Sequence, residues 1–233
     1  MSELTVIYRA CPSELKEYRP ERPNWFSKLK CYKSFYNNFG GKYDIFVVWD
    51  GCRENELYNL IKSTNVHILE INERNNQKSL LRCYELADSL QPKALFFSED
   101  DYLFLPNSDN VLLDGLNSYG FTTLYNHPDR CLRNDDITYG MEKIEAGIYD
   151  YFRTAESTTC SVAMSYSVFK KVRAELDYWC KAGTGAPEDR KFYRDVYQKY
   201  GLRLWTPITS YSTHVVKGCL GLYIDWEGYS KTL

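Results

Sequence analysis

Three consecutive acids, Glu99-Asp100-Asp101, follow the apolar run Ala94 to Ser98. Adjacent carboxylates repel one another, so placing them at the rim of an apolar strand is costly unless a cation or solvent compensates. Carboxylate oxygens in a loop suit a hard divalent ion, Mg²⁺ or Mn²⁺, which ordinarily sits between one or two carboxylates and substrate phosphates. A solvated acidic turn is the plainer account of the same three residues. A second acidic pair, Glu188-Asp189, opens a helix-like segment behind Gly183-Thr184-Gly185-Ala186-Pro187. Acids in a first turn favour the helix dipole, so capping explains the pair as well as chemistry does. Asp50-Gly51 ends another apolar run, either as a tight turn or as an acceptor for the N–H of a uracil or thymine base. Arg9, Lys78 and Arg82 are cations that could meet a diphosphate. Lys78 and Arg82, four residues apart, share a helix face, which an ordinary solvated surface also explains.

The elements that must position these residues alternate along the first hundred residues. Leu4 to Arg9 reads as a strand. Trp25, Leu29, Tyr32 and Tyr36 recur at helical spacing, with Asn24 as an expected cap and Gly40-Gly41 as the stop. Tyr43 to Trp49 is a buried strand, Glu54 to Lys62 a helix, Val66 to Ile71 a strand, Ser79 to Leu90 a helix and Lys93 to Ser98 a strand. This rhythm predicts an α/β sheet with helices on both faces, and in such sheets ligands bind beyond the carboxyl ends of the strands. The second half is less regular. It predicts a helix over Asn110–Tyr119, strands over Phe121–Tyr125, Thr159–Met164 and Leu202–Ile208, and helices over Ser167–Cys180 and Glu188–Tyr200. With no internal repeat and no Gly-, Ser- or Pro-rich linker, one domain over residues 1–233 is expected.

Composition narrows the classes. The chain has 44% hydrophobic and 16% aromatic residues and a net charge of −2, which excludes a disordered or low-complexity chain. Its 29 Lys+Arg against 31 Asp+Glu disfavour a strongly basic nucleic-acid binder, although Lys28-Leu29-Lys30, Lys33 and Lys170-Lys171 leave room for a local patch. No run approaches the roughly 18 apolar residues of a membrane span. The N-terminal Met1-Ser2-Glu3-Leu4 lacks the basic start of a signal peptide, so a cytoplasmic location is expected. The eight cysteines form no C-x-x-C pair and are read as reduced, mostly buried thiols. Among the large aromatics Trp49, Tyr102, Trp179, Trp205 and Trp226, one or two are expected to line a cleft, since sugars and bases stack on such rings.

Val47-Val48-Trp49-Asp50-Gly51, Glu99-Asp100-Asp101 and Glu188-Asp189, in this order and at these spacings, resemble the motifs of GT-A-type glycosyltransferases. The resemblance is closest to the large inverting, family 2-like group with nucleotide-sugar donors and covers about residues 4–216. It implies a Rossmann-like domain with a mostly parallel central sheet flanked by helices. Residues 1–105 would form the donor half, and 106–233 the acceptor half and C-terminal tail. Glu99-Asp100-Asp101 then stands as a variant of the D-x-D motif. Asp101 would be first choice for the metal ion, with Glu99 and His214 beside it, and Asp100 would face the ribose or a metal-bound water. Tyr8, Arg9, Asp50, Lys78 and Arg82 would meet the nucleotide. Asp189 would be the base that deprotonates the acceptor hydroxyl, and Glu188, His127 and Trp205 would border the acceptor. The implied activity is Mn²⁺- or Mg²⁺-dependent transfer from a nucleotide-diphosphate sugar, UDP-sugar favoured, to a carbohydrate or other hydroxyl acceptor with inversion. Two alternatives stand beside it: glycosylation of a hydroxymethylated DNA base, in keeping with a viral or bacterial source, and a non-catalytic nucleotide-sugar-binding module. The chain departs from the family pattern in its first strand, which ends Ile7-Tyr8-Arg9-Ala10. Its third loop, Glu73-Arg74-Asn75-Asn76, also has no glycine after the asparagines.

Overall fold

A computed structural model describes residues 3–12, 20–128, 143–158, 161–182 and 188–233. The parallel half runs β1 (Thr5–Ala10), α1 (Lys28–Phe39), β2 (Asp44–Asp50), α2 (Glu56–Lys62), β3 (His67–Ile71), α3 (Asn76–Leu90) and β4 (Ala94–Glu99). There follow β5 (Tyr102–Phe104), α4 (Ser108–Tyr119), β6 (Phe121–Thr122), β7 (Ile144–Ala146), β8 (Tyr151–Ala155) and β9 (Val162–Ser165). The chain closes with α5 (Tyr166–Ala182), α6 (Asp189–Tyr200), β10 (Leu204–Pro207), β11 (Ser212–His214) and α7 (Trp226–Ser230).

Nine strands form one sheet in the order β3-β2-β1-β4-β9-β6-β10-β8-β7, and β11 pairs with β5 in a separate ribbon. The ladders among β1 to β4 are parallel, β9 and β8 run against their neighbours, and the sheet is mostly parallel and flanked by helices. Strands from both halves of the sequence thus share one hydrogen-bonded layer.

The period of two in β1, β2 and β4 divides the core. Val6, Tyr8, Val47, Trp49 and Phe96 face Phe35, Phe39, Leu57 and Leu112 of α1, α2 and α4. Ile7, Val48, Leu95 and Phe97 face Leu80, Phe169, Leu176 and Phe192 of α3, α5 and α6. Burial on both faces explains the unbroken apolar runs of these strands.

Two local expectations change. Helix α1 begins at Lys28 with Ser27 as its extended N-cap, not at Asn24. Trp25 and Phe26 instead join a third cluster with Cys31, Leu103, Val215 and Trp226. The strand expected over Phe121–Tyr125 is paired only at Phe121–Thr122, because Leu124 turns away to accept hydrogen bonds from Tyr211 and Ser212. Cys11, Cys31, Cys52, Cys83, Cys180 and Cys219 are free thiols, as expected. Cys131, Cys160 and the Gly183–Pro187 segment lie outside the described residues. Among the described residues no helix is long and apolar enough to cross a membrane.

Candidate active site

From β1 the chain steps outward to β2 and β3 and then returns to β4 on the other side of β1. The carboxyl ends of β1 and β4 therefore flank the point where strand order reverses, the usual crevice for a ligand in such sheets. Arg9 and Glu99 are register partners there. Alternation puts both on the α3 face, and their side chains form an ion pair. Arg9 also donates to the Asn76 carbonyl at 2.8 Å, the Asn76 side chain and Ser79 Oγ at 2.9 Å, tying the first turn of α3 to the strand ends.

The next two acids turn elsewhere. Asp100 Oδ2 accepts from the Cys11 N–H at 2.8 Å and from Lys28 Nζ at 2.9 Å. Burial by itself would lower the Lys28 ammonium, but Asp100 beside it holds it above the ordinary lysine range. Asp101 Oδ2 accepts from Arg22 Nη2 at 2.9 Å and lies 2.9 Å from His214 Nε2. Burial would raise the Asp101 carboxyl, yet His214 and Arg22 outweigh it and hold the group well below the usual carboxylate range. Three neighbouring acids thus meet cations from β1, α1 and the segment before α1.

His214 is brought to Asp101 by pairing of β11 with β5, in register with Tyr102. Its ring stacks on Tyr102 at 5.1 Å; Tyr102 meets Tyr125 edge-on at 5.6 Å, and Tyr125 meets His127 at 5.2 Å. A row of four rings leads from the acids to the half-buried His127.

Asp189 is the first residue of α6, with Glu188 at the N-cap. An apolar wall that includes Leu80, Phe97, Leu176, Trp179 and Phe192 stands beside both acids. Burial lifts the Asp189 carboxyl to about 7; Arg9 and His214 pull it down, and Glu188 pushes it up. Asp189 therefore feels groups from both the Glu99 and the Asp101 ends of the cluster. Glu188 is half-buried, with a Lys191 contact at 3.5 Å.

Other expected site residues fall elsewhere. Tyr8 is fully buried against Tyr32 and Phe35, because a one-residue step along β1 points it to the α1 face, opposite Arg9. It cannot touch a donor in this arrangement. Trp205 is a core residue, stacked on Tyr119 at 3.9 Å, with no large face open to an acceptor. Glu99 is committed to Arg9 instead of joining Asp101 and His214. Arg82 pairs with Glu73 and Glu85 on the surface, and Lys78 is exposed in the first turn of α3. Asp50, buried at the end of β2, accepts the Arg74 N–H at 3.0 Å and so builds the loop before α3. The C-terminal tail buttresses the β5–β11 ribbon: Trp226 is buried beneath it, and Tyr229 donates to the Phe104 carbonyl at 2.7 Å.

Sequence reading missed Arg22, and it assigned Lys28 to a surface patch. The signal was present in the charge argument itself, since three crowded acids require cations, and Arg22 and Lys28 are basic residues in the stretch that runs from β1 into α1.

The acidic cluster has features of a metal site. Asp101 Oδ1 is buried without a hydrogen-bond partner, and Oδ2 and His214 Nε2 stand about as far apart as neighbouring ligands on one small divalent ion, ~3 Å. Among the described residues no group of three or more His, Cys, Asp or Glu converges as a preformed metal centre. Asp101 and His214 fit as two protein ligands of an ion that takes its remaining ligands from phosphate and water.

Comparison with solved structures shows the same fold at low identity. A residue 1–349 fragment of Staphylococcus aureus TarS, solved in complex with UDP-GlcNAc, has a TM-score of 0.54 at 10% identity, over 88% of this chain and 56% of that one. The chain thus spans little more than half the length of that fragment. The 4-diphosphocytidyl-2C-methyl-D-erythritol synthase of Anaerococcus prevotii has a TM-score of 0.54 at 10% identity, over 99% of this chain and 95% of that one. A Desulfovibrio desulfuricans structure assigned as a nucleotide-diphospho-sugar transferase matches over 88% of this chain and 80% of its own, at 9% identity and a TM-score of 0.51. No family model and no curated protein sequence matches the chain. The fold is that of GT-A-type nucleotidyl- and glycosyltransferases.

Proposed function

We propose that the protein is a nucleotide-sugar-dependent glycosyltransferase that binds a nucleoside diphosphate sugar, UDP-sugar by preference, at the β1–β4 crevice. The observation that carries this reading is the position of Asp189. A carboxyl held near 7 at a helix start, within the electrostatic reach of Arg9 and His214, is poised as a general base. In this reading Asp189 takes the proton from the acceptor hydroxyl as that oxygen attacks the anomeric carbon. The bond to the diphosphate breaks as the new one forms, and attack from the face opposite the leaving group inverts the centre. Asp101 and His214 would hold Mn²⁺ or Mg²⁺, which when bound neutralises charge developing on the leaving diphosphate. Arg9 and Glu99 keep the α3 turn against the strand ends, and Asp50 keeps the loop before α3 in place. Glu188 and the rings leading to His127 border the acceptor side.

The experiment is a thermal-shift screen of UDP, GDP, dTDP and CDP sugars with Mn²⁺, followed by hydrolysis of the donor that binds. A UDP-sugar is expected to raise the melting temperature, since a ligand of the native state stabilises in proportion to its affinity. Metal-dependent hydrolysis, lost in Asp101→Asn, supports the reading; donor binding without turnover would make the chain a binding module.

The near end-to-end overlap with the cytidylyl-transferring synthase favours one second reading, a nucleotidyltransferase. It predicts stabilisation by CTP and release of pyrophosphate instead of sugar transfer. Of the lysines behind the DNA-base alternative, four have neighbours within the chain. Lys28 pairs with Asp100, Lys33 with the Leu233 carbonyl and Lys170 with Asp88, and Lys171 lies over Tyr200.

A further inference from the structure

Arg22 lies between β1 and α1, and its guanidinium is fastened on three sides. Nη2 donates to Asp101 Oδ2 at 2.9 Å, Nη1 donates to the Val215 carbonyl at 2.8 Å, and the group lies 4.5 Å from the centre of the Phe26 ring. The neighbouring Glu21 accepts the Lys217 N–H at 2.8 Å and pairs with its ammonium. This segment is thereby joined to the stretch that follows His214. One carboxylate oxygen serves both Arg22 and His214, and the other, Asp101 Oδ1, is buried without a partner. The side chains of Arg22, Asp101 and His214 are 12%, 14% and 9% exposed, so solvent screens little of their interaction.

We propose that Arg22 is an internal counterion that competes with a divalent cation for Asp101 and so sets how tightly the site takes metal. The proposal rests on Asp101 and His214 as the metal-holding pair. A guanidinium cannot shed its charge at any ordinary pH, so it cannot coexist cheaply with a divalent ion on the same carboxylate oxygen. The two cations would stand only a few ångströms apart in a site of low effective dielectric, where like charges repel far more than in water. Metal binding at Oδ2 therefore requires Arg22 to release that oxygen, and binding at the unpartnered Oδ1 still sets the ion against the guanidinium charge, while Val215 and Phe26 offer the guanidinium a place to remain.

The test titrates Mn²⁺ alone into the full chain, without nucleotide, and reads free Mn²⁺ by electron paramagnetic resonance. Arg22→Gln is expected to bind Mn²⁺ about tenfold more tightly than the native protein, the worth of one charge-assisted hydrogen bond that no longer has to break. Arg22→Lys, which offers a single ammonium, is expected to tighten binding by a smaller factor. Asp101→Asn is expected to abolish binding in either background. Equal or weaker binding by Arg22→Gln, with a native circular dichroism spectrum, overturns the proposal, as does absence of Mn²⁺ binding by both proteins at millimolar concentration. Where Arg22→Gln fails to fold, Arg22→Lys carries the comparison, and an affinity equal to the native one overturns it. No sugar nucleotide enters this experiment, so failure of donor hydrolysis would count against the transferase reading and leave the Mn²⁺ result standing.

Discussion

Asp189 and Asp101 are both acids within the electrostatic reach of His214, and their surroundings drive them in opposite directions. Asp189 has an apolar wall on one side and Glu188 next to it, which lifts its carboxyl to about 7. Asp101 has His214 and Arg22 against it, which hold it ionised far below that. In the proposed reaction such a split would separate a proton acceptor from a permanently charged anchor. Donor hydrolysis, measured as kcat/KM against pH, is therefore expected to rise with an acid-limb midpoint near 7, not near the ordinary carboxylate value of about 4. Asp189→Asn is expected to remove that limb and lower the rate at least about 100-fold. A native midpoint of 4 to 5 would show that Asp189 is not the base.

At the scale of elements, the loop between β3 and α3 holds a non-glycine residue in a left-handed conformation. Arg74 sits in the left-handed region, with φ 48°, and its N–H is held by Asp50 across from β2. A non-glycine residue in that region costs about 1–2 kcal/mol, partly offset for glycine by the greater freedom of the unfolded chain. Arg74→Gly is therefore expected to stabilise the protein by about 0.5–1 kcal/mol in urea unfolding. Asp50→Ala is expected to cost about 1–2 kcal/mol in the same measurement, because the Arg74 N–H loses its acceptor. An Asp50 that served only a nucleobase would leave stability unchanged on substitution. The β5–β11 ribbon is positioned by contacts rather than by length. Two three-residue strands hold Tyr102 opposite His214, and Trp226 fills the space beneath them.

The whole molecule carries the cost of its raised carboxyl. Asp189 folds with a pKa of about 7, against an ordinary value of 3.8. The native state thus binds more protons than the unfolded state between these values, and stability is full below the lower one and falls as pH rises through the upper. Asp101 has the opposite sign: its contribution is complete above the ordinary carboxylate value and lost only as pH falls well below it. Unfolding free energies of Asp189→Asn minus native are expected to grow by about 1–3 kcal/mol between pH 4 and pH 8, allowing for solvent at a half-buried group. A difference that is flat with pH would remove the desolvation account.

The sequence by itself determined the layered α/β plan and the acids at its strand ends. Strands of five to seven residues buried on both faces, such as β2 and β4, show as apolar runs, and helices with a full apolar stripe, such as α3, carry their own periodicity. Short pieces carry none: β5, β11 and α7 have too few residues to show a period, and β5 and β11 pair from distant parts of the chain. The identity of each acid's partner was likewise decided only by the tertiary structure. Register aligns Arg9 with Glu99, alternation sends Tyr8 to the opposite face, and the fold brings Lys28, Arg22 and His214 from three separate segments to Asp100 and Asp101. Local spacing sets which face a residue takes within its own element. The charge that faces it across the cleft depends on how distant elements pack, and here that packing places an arginine against the carboxylate where a metal ion was expected.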